Sequence, residues 1–428
     1  MNRAELLLPA GNIEKMKYAI AYGADAVYLG TADFSLRSPK AGNIITDENL
    51  KSSIDIAHKM GAKAYVTLNV FANNEIIEKI DPIIEILQDA KPDAVIFADA
   101  GFYRPLKTKL PDIPLHVSTQ ANVLNHEAVK FWRDLGISRV ILARELSLKE
   151  IEQISAKVPD VELEVLVHGS VCVAYSGRCL LSDYMTNNER KSNQGNCAQP
   201  CRWPYQIKLT DSRRPDEEYV LTEDDNCSYI MNPKDIALIE HLPALIEAGV
   251  CSFKVEGRTK SMYYASVVAK AYRAALDAYY EGKTPNYDEL FEELKCAGNR
   301  GMTTGFLVEK PDSEHYNYGT SKSKAKSVFQ GIITERVAPD KYKVTVKNQM
   351  QSGDSYDIIF PEGAINTVIA DMFDEYGEKL EVANTNAEIT VILRDMPENL
   401  ASGEWGIIRR KETANNEANA NLYCGTCN

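Results

Sequence analysis

The chain has 428 residues, a net charge of −13, 44% hydrophobic and 25% charged residues. This is an ordinary balance for a globular chain with a large core, and without a run of about 18 apolar residues no membrane span is expected. The acidic total excludes a protein that coats nucleic acid by bulk attraction, but not one with a local basic groove.

The opening stretch MNRAELLLPAGN lacks the long apolar segment of a leader, so a cytoplasmic protein is expected. In that compartment nine cysteines serve as thiols or metal ligands rather than as a disulfide framework. Candidate strands follow at residues 5–10, 26–30, 62–70, 94–99, 115–121, 139–146, 163–170 and 252–258. Between them lie segments with apolar residues three and four apart, such as NIEKMKYAIAYG and NLKSSIDIAHKMG, each closing on glycine as helices do. Strand and helix alternating in this way predict a (β/α)8 TIM-type barrel within residues 1–322, with a doubly wound open sheet as the competing fold.

The rhythm breaks after the seventh strand, where an insertion covers about 171–250. Such an insertion lies at the C-terminal mouth, where barrel enzymes keep their chemistry. A long helical run, MYYASVVAKAYRAALDAYYEG, closes the barrel region, followed by the Gly/Thr-rich GNRGMTTGF and a polar linker. From Ser327 short alternating strands such as SVFQGIITERV, KYKVTVKN and SYDIIFP predict a small all-β barrel domain over 323–411. Residues 412–428 are expected to be a flexible tail ending in CGTC, Cys424 to Cys427, which can bind metal or form a labile disulfide.

The insertion holds Cys172-x6-Cys179-x17-Cys197-x3-Cys201. Four thiolates complete an iron–sulfur or a zinc site, yet this spacing is neither a ferredoxin run nor a paired CxxC ribbon. On spacing alone a metal site and scattered buried thiols both remain open. Gly169, Gly177 and Gly195 permit tight turns that free amides for sulfur, and Arg202 can offset thiolate charge. Cys227, Cys251 and Cys296 are isolated and read as structural thiols.

The predicted strand ends present Asn69, Asp99, Ser118, Gln120, Arg144, Glu145, His168, Glu256 and Arg258, which a barrel brings to one mouth. Arg144 and Arg258 suit a carboxylate or phosphate, and Glu145 and Glu256 can pair with them or move protons. With His168 these are the candidate catalytic residues; Asn69, Asp99 and Gln120 are candidate substrate contacts. A thiol peptidase would need a His base, for which His168 is nearest. Neither H-E-x-x-H nor G-x-S-x-G occurs.

From Glu164 to Ser182 the run EVLVHGSVCVAYSGRCLLS resembles the signature of the collagenase-like peptidase family, the unassigned peptidase family U32. Leu166 stands where that signature has Phe. The likeness extends to LLLPAGNIEKMKYAIAYGADAVYLG, VSTQANVLN, NQGNCAQPCRW, YIMNPKD, KVEGRTKSMYYA and NRGMTTGF, covering roughly residues 5 to 410. Branches of the family resemble oxygen-independent hydroxylation proteins acting on ubiquinone precursors, tRNA wobble uridine or an rRNA cytidine. The CRW and MNPKD segments and the C-terminal β domain look most like the tRNA branch.

That resemblance implies conversion of wobble uridine to 5-hydroxyuridine, with Cys172, Cys179, Cys197 and Cys201 holding a 4Fe-4S cluster. Zinc is the alternative metal, Cys227 the alternative ligand, and a prephenate-derived molecule the implied co-substrate. The implied partners are tRNA and an electron-transfer protein. Holding tRNA requires local positive charge, for which Arg178, Arg190, Lys191 and Arg202 in the insertion, and Arg258 and Lys260 after strand eight, are candidates. The alternatives are a collagenase-like peptidase and a cluster-carrying accessory protein.

Overall fold

The computed structural model describes residues 3–31, 33–36, 45–176, 178–205, 207–211, 213–221, 231–394 and 396–411. Cys227, Gly177 and the 412–428 tail with its CGTC fall outside the described residues.

Eight strands form the barrel: β1 (Glu5–Pro9), β2 (Ala26–Gly30), β3 (Lys63–Leu68), β4 (Ala94–Phe97), β5 (Leu115–Val117), β6 (Arg139–Ile141), β7 (Glu162–Gly169) and β8 (Val250–Val255). Each pairs in parallel with the next, and β8 closes the sheet on both β7 and β1. A parallel sheet is buried on both faces, which is why runs such as ELLLP and AVYLG are almost wholly apolar.

The outer helices start at side-chain caps. Asn12 accepts the Lys15 N–H ahead of α1 (Ile13–Ala21), and Ser147 with Glu150 forms a capping box before the helix Leu148–Lys157. The first helical segment ends at Gly23 and the second, α2 (Leu50–Lys59), at Gly61, with φ of +112° and +83°.

Two strands, β5 and β6, are less than half as long as the sequence predicts. β5 stops at Val117 because Ser118 accepts the Gln120 N–H and Asn122 turns the chain at φ +59°, so residues 119–121 form a tight helical turn. β6 stops at Ile141, and Ala143 N–H instead donates to Val123 O. Gln120, Arg144 and Glu145 therefore sit on rim loops.

The insertion after β7 carries the short helix α3 (Leu181–Met185), a hairpin of Ile207–Asp211 with Arg214–Leu221, and the strand Asp235–Ala237. That last strand runs antiparallel to the end of β7, with Ile236 opposite Gly169. After β8 comes the long helix α4 (Met262–Tyr280). No helix among the described residues is long and apolar enough to cross a membrane.

The barrel floor is ionic. Arg139 donates to Glu5 at 2.6 Å, Glu162 at 2.8 Å and Glu164 at 3.3 Å. Lys254 reaches Glu164 at 3.1 Å, and Lys63 reaches Glu5 at 3.3 Å. Tyr65 donates to Glu5, and the Ser252 hydroxyl bonds Glu5 or Glu164. Arg139 and Tyr65 hold the Glu5 carboxyl below its ordinary pKa against the opposing effect of burial.

The second compact unit is built on the described residues from 324 to 411, with 266–271 and 288–298. Its strands are β9 (Ser327–Ala338), β10 (Lys341–Val346), β11 (Ser355–Ile359), β12 (Ala364–Val368), β13 (Glu388–Ile392) and β14 (Ile407–Lys411). They pair antiparallel in the order β12-β11-β14-β9-β10-β13, extended by Met372–Phe373 and Lys379–Leu380. Tyr342, Val344, Tyr356, Ile358, Val391 and Ile408 fill its own core.

Candidate functional site

The mouth of the barrel opens into a cavity of about 730 Å³, its open side included. Asn69, Ser118, Gln120, Arg144, Glu256 and Arg258 all line it, together with Cys172 and Lys254. Six of the nine predicted strand-end residues thus converge here. Asn69 accepts the Leu36 N–H at 2.9 Å, and Tyr28 donates to Glu256 at 3.2 Å. Arg258 is 5% exposed and its Nη1 reaches Thr67 Oγ1 at 3.5 Å. Its guanidinium fits because residue 30 is glycine: a Cβ there would lie 2.1 Å from Arg258 Nη1.

One charged group is poised rather than spent. Arg144 Nε and Nη2 are buried without a hydrogen-bond partner, as is Gln120 Oε1. Buried donors are nearly always satisfied, so an unpaired guanidinium edge marks a place for an acceptor. Lys254 was not foreseen; it lies within an apolar strand run, and its ammonium sits 4.3 Å from the Tyr28 ring centre.

Three other predicted residues do different work. His168 does not line the cavity. It is 2% exposed, its Nδ1 lies 3.3 Å from the Tyr272 hydroxyl, and its ring packs against Tyr264 and Tyr272 of α4. A register shift between Lys254 and Val255 in the β7–β8 pairing accompanies this placement. Burial holds His168 down at about 4, a neutral ring. Asp99 caps the helix Ala100–Lys109 through Gly101 N–H and accepts the Ala72 N–H with its other oxygen. Glu145 accepts the Ser176 N–H at 2.8 Å and its hydroxyl at 2.7 Å, tying the rim to the cysteine loop.

Cys172, Cys179, Cys197 and Cys201 are free thiols on this loop. Burial pushes Cys201 up to about 11, opposed by the Arg202 cation and reinforced by Cys172, Cys197 and Cys179. Cys197 is raised by burial, with Cys172 and Cys179 adding to it, while the Gln199 N–H donates to its sulfur at 3.3 Å. The four thiols therefore lie within electrostatic reach of one another. Among the described residues no group of three or more His, Cys, Asp or Glu side chains is arranged to hold one metal ion. An all-sulfur donor set with an amide on sulfur and an adjacent cation fits a thiolate-bound cluster.

The frame of the loop was legible only in part. Ser182 donates to Arg190 O and accepts the Ala198 N–H; Ser192 donates at 2.6 Å to Cys179 O, to which Asn193 Nδ2 also donates. Arg178, Arg190 and Lys191 are exposed. Arg202 is not on that surface. Its guanidinium donates to Asn232 Oδ1 at 2.7 Å and Val171 O at 3.2 Å, a structural pin. Lys260 lies over the Tyr264 ring, 5.2 Å from its centre.

A second cavity of about 580 Å³ lies between the cysteine loop and residues 303–316. Arg144 and Cys172 line both cavities.

A closed parallel barrel with a four-thiol loop over a cationic mouth, followed by an antiparallel β domain, defines a class of barrel protein. This chain belongs to peptidase family U32, whose model matches residues 11–317, and the family's C-terminal domain matches residues 325–404. It is 39% identical to a tRNA hydroxylation protein P of Escherichia coli (strain K12), over 90% of this chain and 92% of that protein. It is 38% identical to tRNA hydroxylation protein P1 of Bacillus subtilis (strain 168), over 90% and 91%. It is also 32% identical to a collagenase of Porphyromonas gingivalis (strain ATCC BAA-308 / W83), over 76% and 79%.

Proposed function

We infer that this chain is a tRNA-modifying enzyme that hydroxylates a uridine, the wobble uridine by its resemblance, without molecular oxygen. The observation that carries the reading is Cys172, which belongs to the four-thiol loop and also lines the cationic mouth cavity. Cys172, Cys179, Cys197 and Cys201 would hold an iron–sulfur cluster. Such a cluster supplies one-electron transfer when bound.

Replacing C5–H of uracil by C5–OH is a two-electron oxidation. With oxygen at the level of water, C5–H and H2O give C5–OH, two protons and two electrons; we propose that an electron-transfer partner takes the electrons and that a prephenate-derived carboxylate is bound as co-substrate. Arg144, Arg258 and Lys254 at the mouth suit a carboxylate, and Glu256 is the carboxylate there that can take the C5 proton. Glu145 holds the loop through Ser176. The exposed Arg178, Arg190 and Lys191 serve the RNA backbone.

A peptidase is the second reading, favoured by the collagenase relative. His168, buried outside both cavities and held down at about 4, is too weak and too remote a base for a thiol nucleophile there. Nucleoside mass spectrometry on tRNA from a deletion strain decides between them. Loss of 5-hydroxyuridine derivatives is expected; an unchanged profile in a strain without a paralogue overturns the assignment.

A further inference from the structure

The second cavity is the part of the molecule that no residue role so far explains. Its wall carries three aromatic side chains, Tyr175, Phe306 and Tyr316. Tyr175 is 52% exposed, an aromatic face left in water at the edge of a cavity. The cavity volume is in the range that encloses small ligands.

Its polar groups come as a pair. Arg144 contributes two buried N–H groups without partners. Glu145, the next residue, also lines the cavity, fixed by two bonds from Ser176. A donor edge beside a fixed carboxylate matches a ring that presents an acceptor next to a donor. The O4 and N3–H of uracil are such a pair.

The far wall is held rigidly. Lys234 N–H donates to His315 O, Asn317 N–H to Asn232 O, and Leu148 N–H to Leu307 O, each within 3.0 Å. Pro233 and Tyr316 form an isolated bridge. A preformed slot with aromatic walls is how enzymes that act on a base receive it outside the stack.

We propose that this cavity receives one pyrimidine base swung out of an RNA loop, stacked by Tyr316 and Phe306 and read by Arg144 and Glu145. The proposal rests on the tRNA reading above. The base and the small co-substrate then approach from two cavities that share the Arg144 and Cys172 wall.

The test is a tRNA anticodon stem-loop carrying a fluorescent pyrimidine at the target position, with the full-length protein. Binding is followed by anisotropy, and unstacking by emission. Wild type should raise the emission on binding. Tyr316→Ala and Phe306→Ala should each suppress that rise and lower kcat/KM by about tenfold to a hundredfold, the worth of one base stack. Affinity should fall far less, because phosphate contacts remain. Tyr316→Phe should restore both readouts, separating stacking from folding. RNA that is bound and hydroxylated without an emission change, or unaffected alanine variants, would overturn the pocket alone. RNA neither bound nor hydroxylated by wild type would overturn the functional reading and the pocket with it.

Discussion

Replacing Glu164 by Gln removes one charge from the barrel floor while keeping its shape. Glu164 has no exposed surface and faces Arg139 at 3.3 Å, Lys254 at 3.1 Å and Ser252 at 3.1 Å. The floor balances the carboxylates of Glu5, Glu162 and Glu164 against Lys63, Arg139 and Lys254. The substitution leaves one cation over. Arg139 keeps Glu5 and Glu162, so the excess falls on Lys254, which is 8% exposed. Stranding one partner of a buried pair costs about 3–5 kcal/mol. Glu162→Gln, at a side chain 55% exposed, should cost about 1 kcal/mol or less. Adding Lys254→Met to the Glu164→Gln variant should return part of the loss, with a coupling of about 1–3 kcal/mol. Urea unfolding followed by helical circular dichroism reads all of these. A cost below about 1 kcal/mol for E164Q, or strict additivity of the double variant, would refute the argument.

Protein purified without oxygen should be brown with about four iron and four sulfide per chain, and Cys172→Ala, Cys179→Ala, Cys197→Ala or Cys201→Ala should each abolish the colour. Cys251→Ala should not, because that thiol sits on β8 and donates to Leu163 O; colourless protein with stoichiometric zinc would overturn the redox role. Folding excludes the proton from His168, so stability should fall as pH drops from about 6.5 to 4, by about 3 kcal/mol in all. His168→Gln should flatten that part of a pH series of unfolding curves, and an unchanged slope would contradict the neutral assignment. Replacing Arg190 and Lys191 by Ala should reduce the slope of log affinity for tRNA against log salt by about 2, and an unchanged slope would count against this surface. Gly30→Ala should displace the Arg258 guanidinium and cost about 1–3 kcal/mol, with a larger loss of tRNA modification; a thermal melt and a turnover assay at wild-type values would contradict the tight fit.

The barrel was readable because strands buried on both faces are written as unbroken apolar runs, and the rim because polar residues follow those runs. The ionic floor was not readable for the same reason: Glu5, Glu164 and Lys254 each sit inside an apolar run. Glu5 and Arg139 are 134 positions apart and meet only when the sheet closes. Asp99 and Arg202 show a second limit. An Asp at a strand end is equally a helix cap, and an Arg beside a cysteine is equally a pin, and only the partner's position tells which. The spacing of the cysteines matched no standard run because the turns between them are set by Ser182, Ser192 and Asn193 bonding backbone, not by sulfur.

Arg202 and Val171 are 31 positions apart, and their bond draws the two ends of the cysteine loop together. The Phe71 N–H to Asn193 O contact and the Glu145 to Ser176 bonds fasten its flanks to the rim. None of these fastenings uses a sulfur atom. The shape of the loop is therefore written in its backbone and polar side chains, and a cluster of the kind proposed above would enter a receptacle that the polypeptide has already formed.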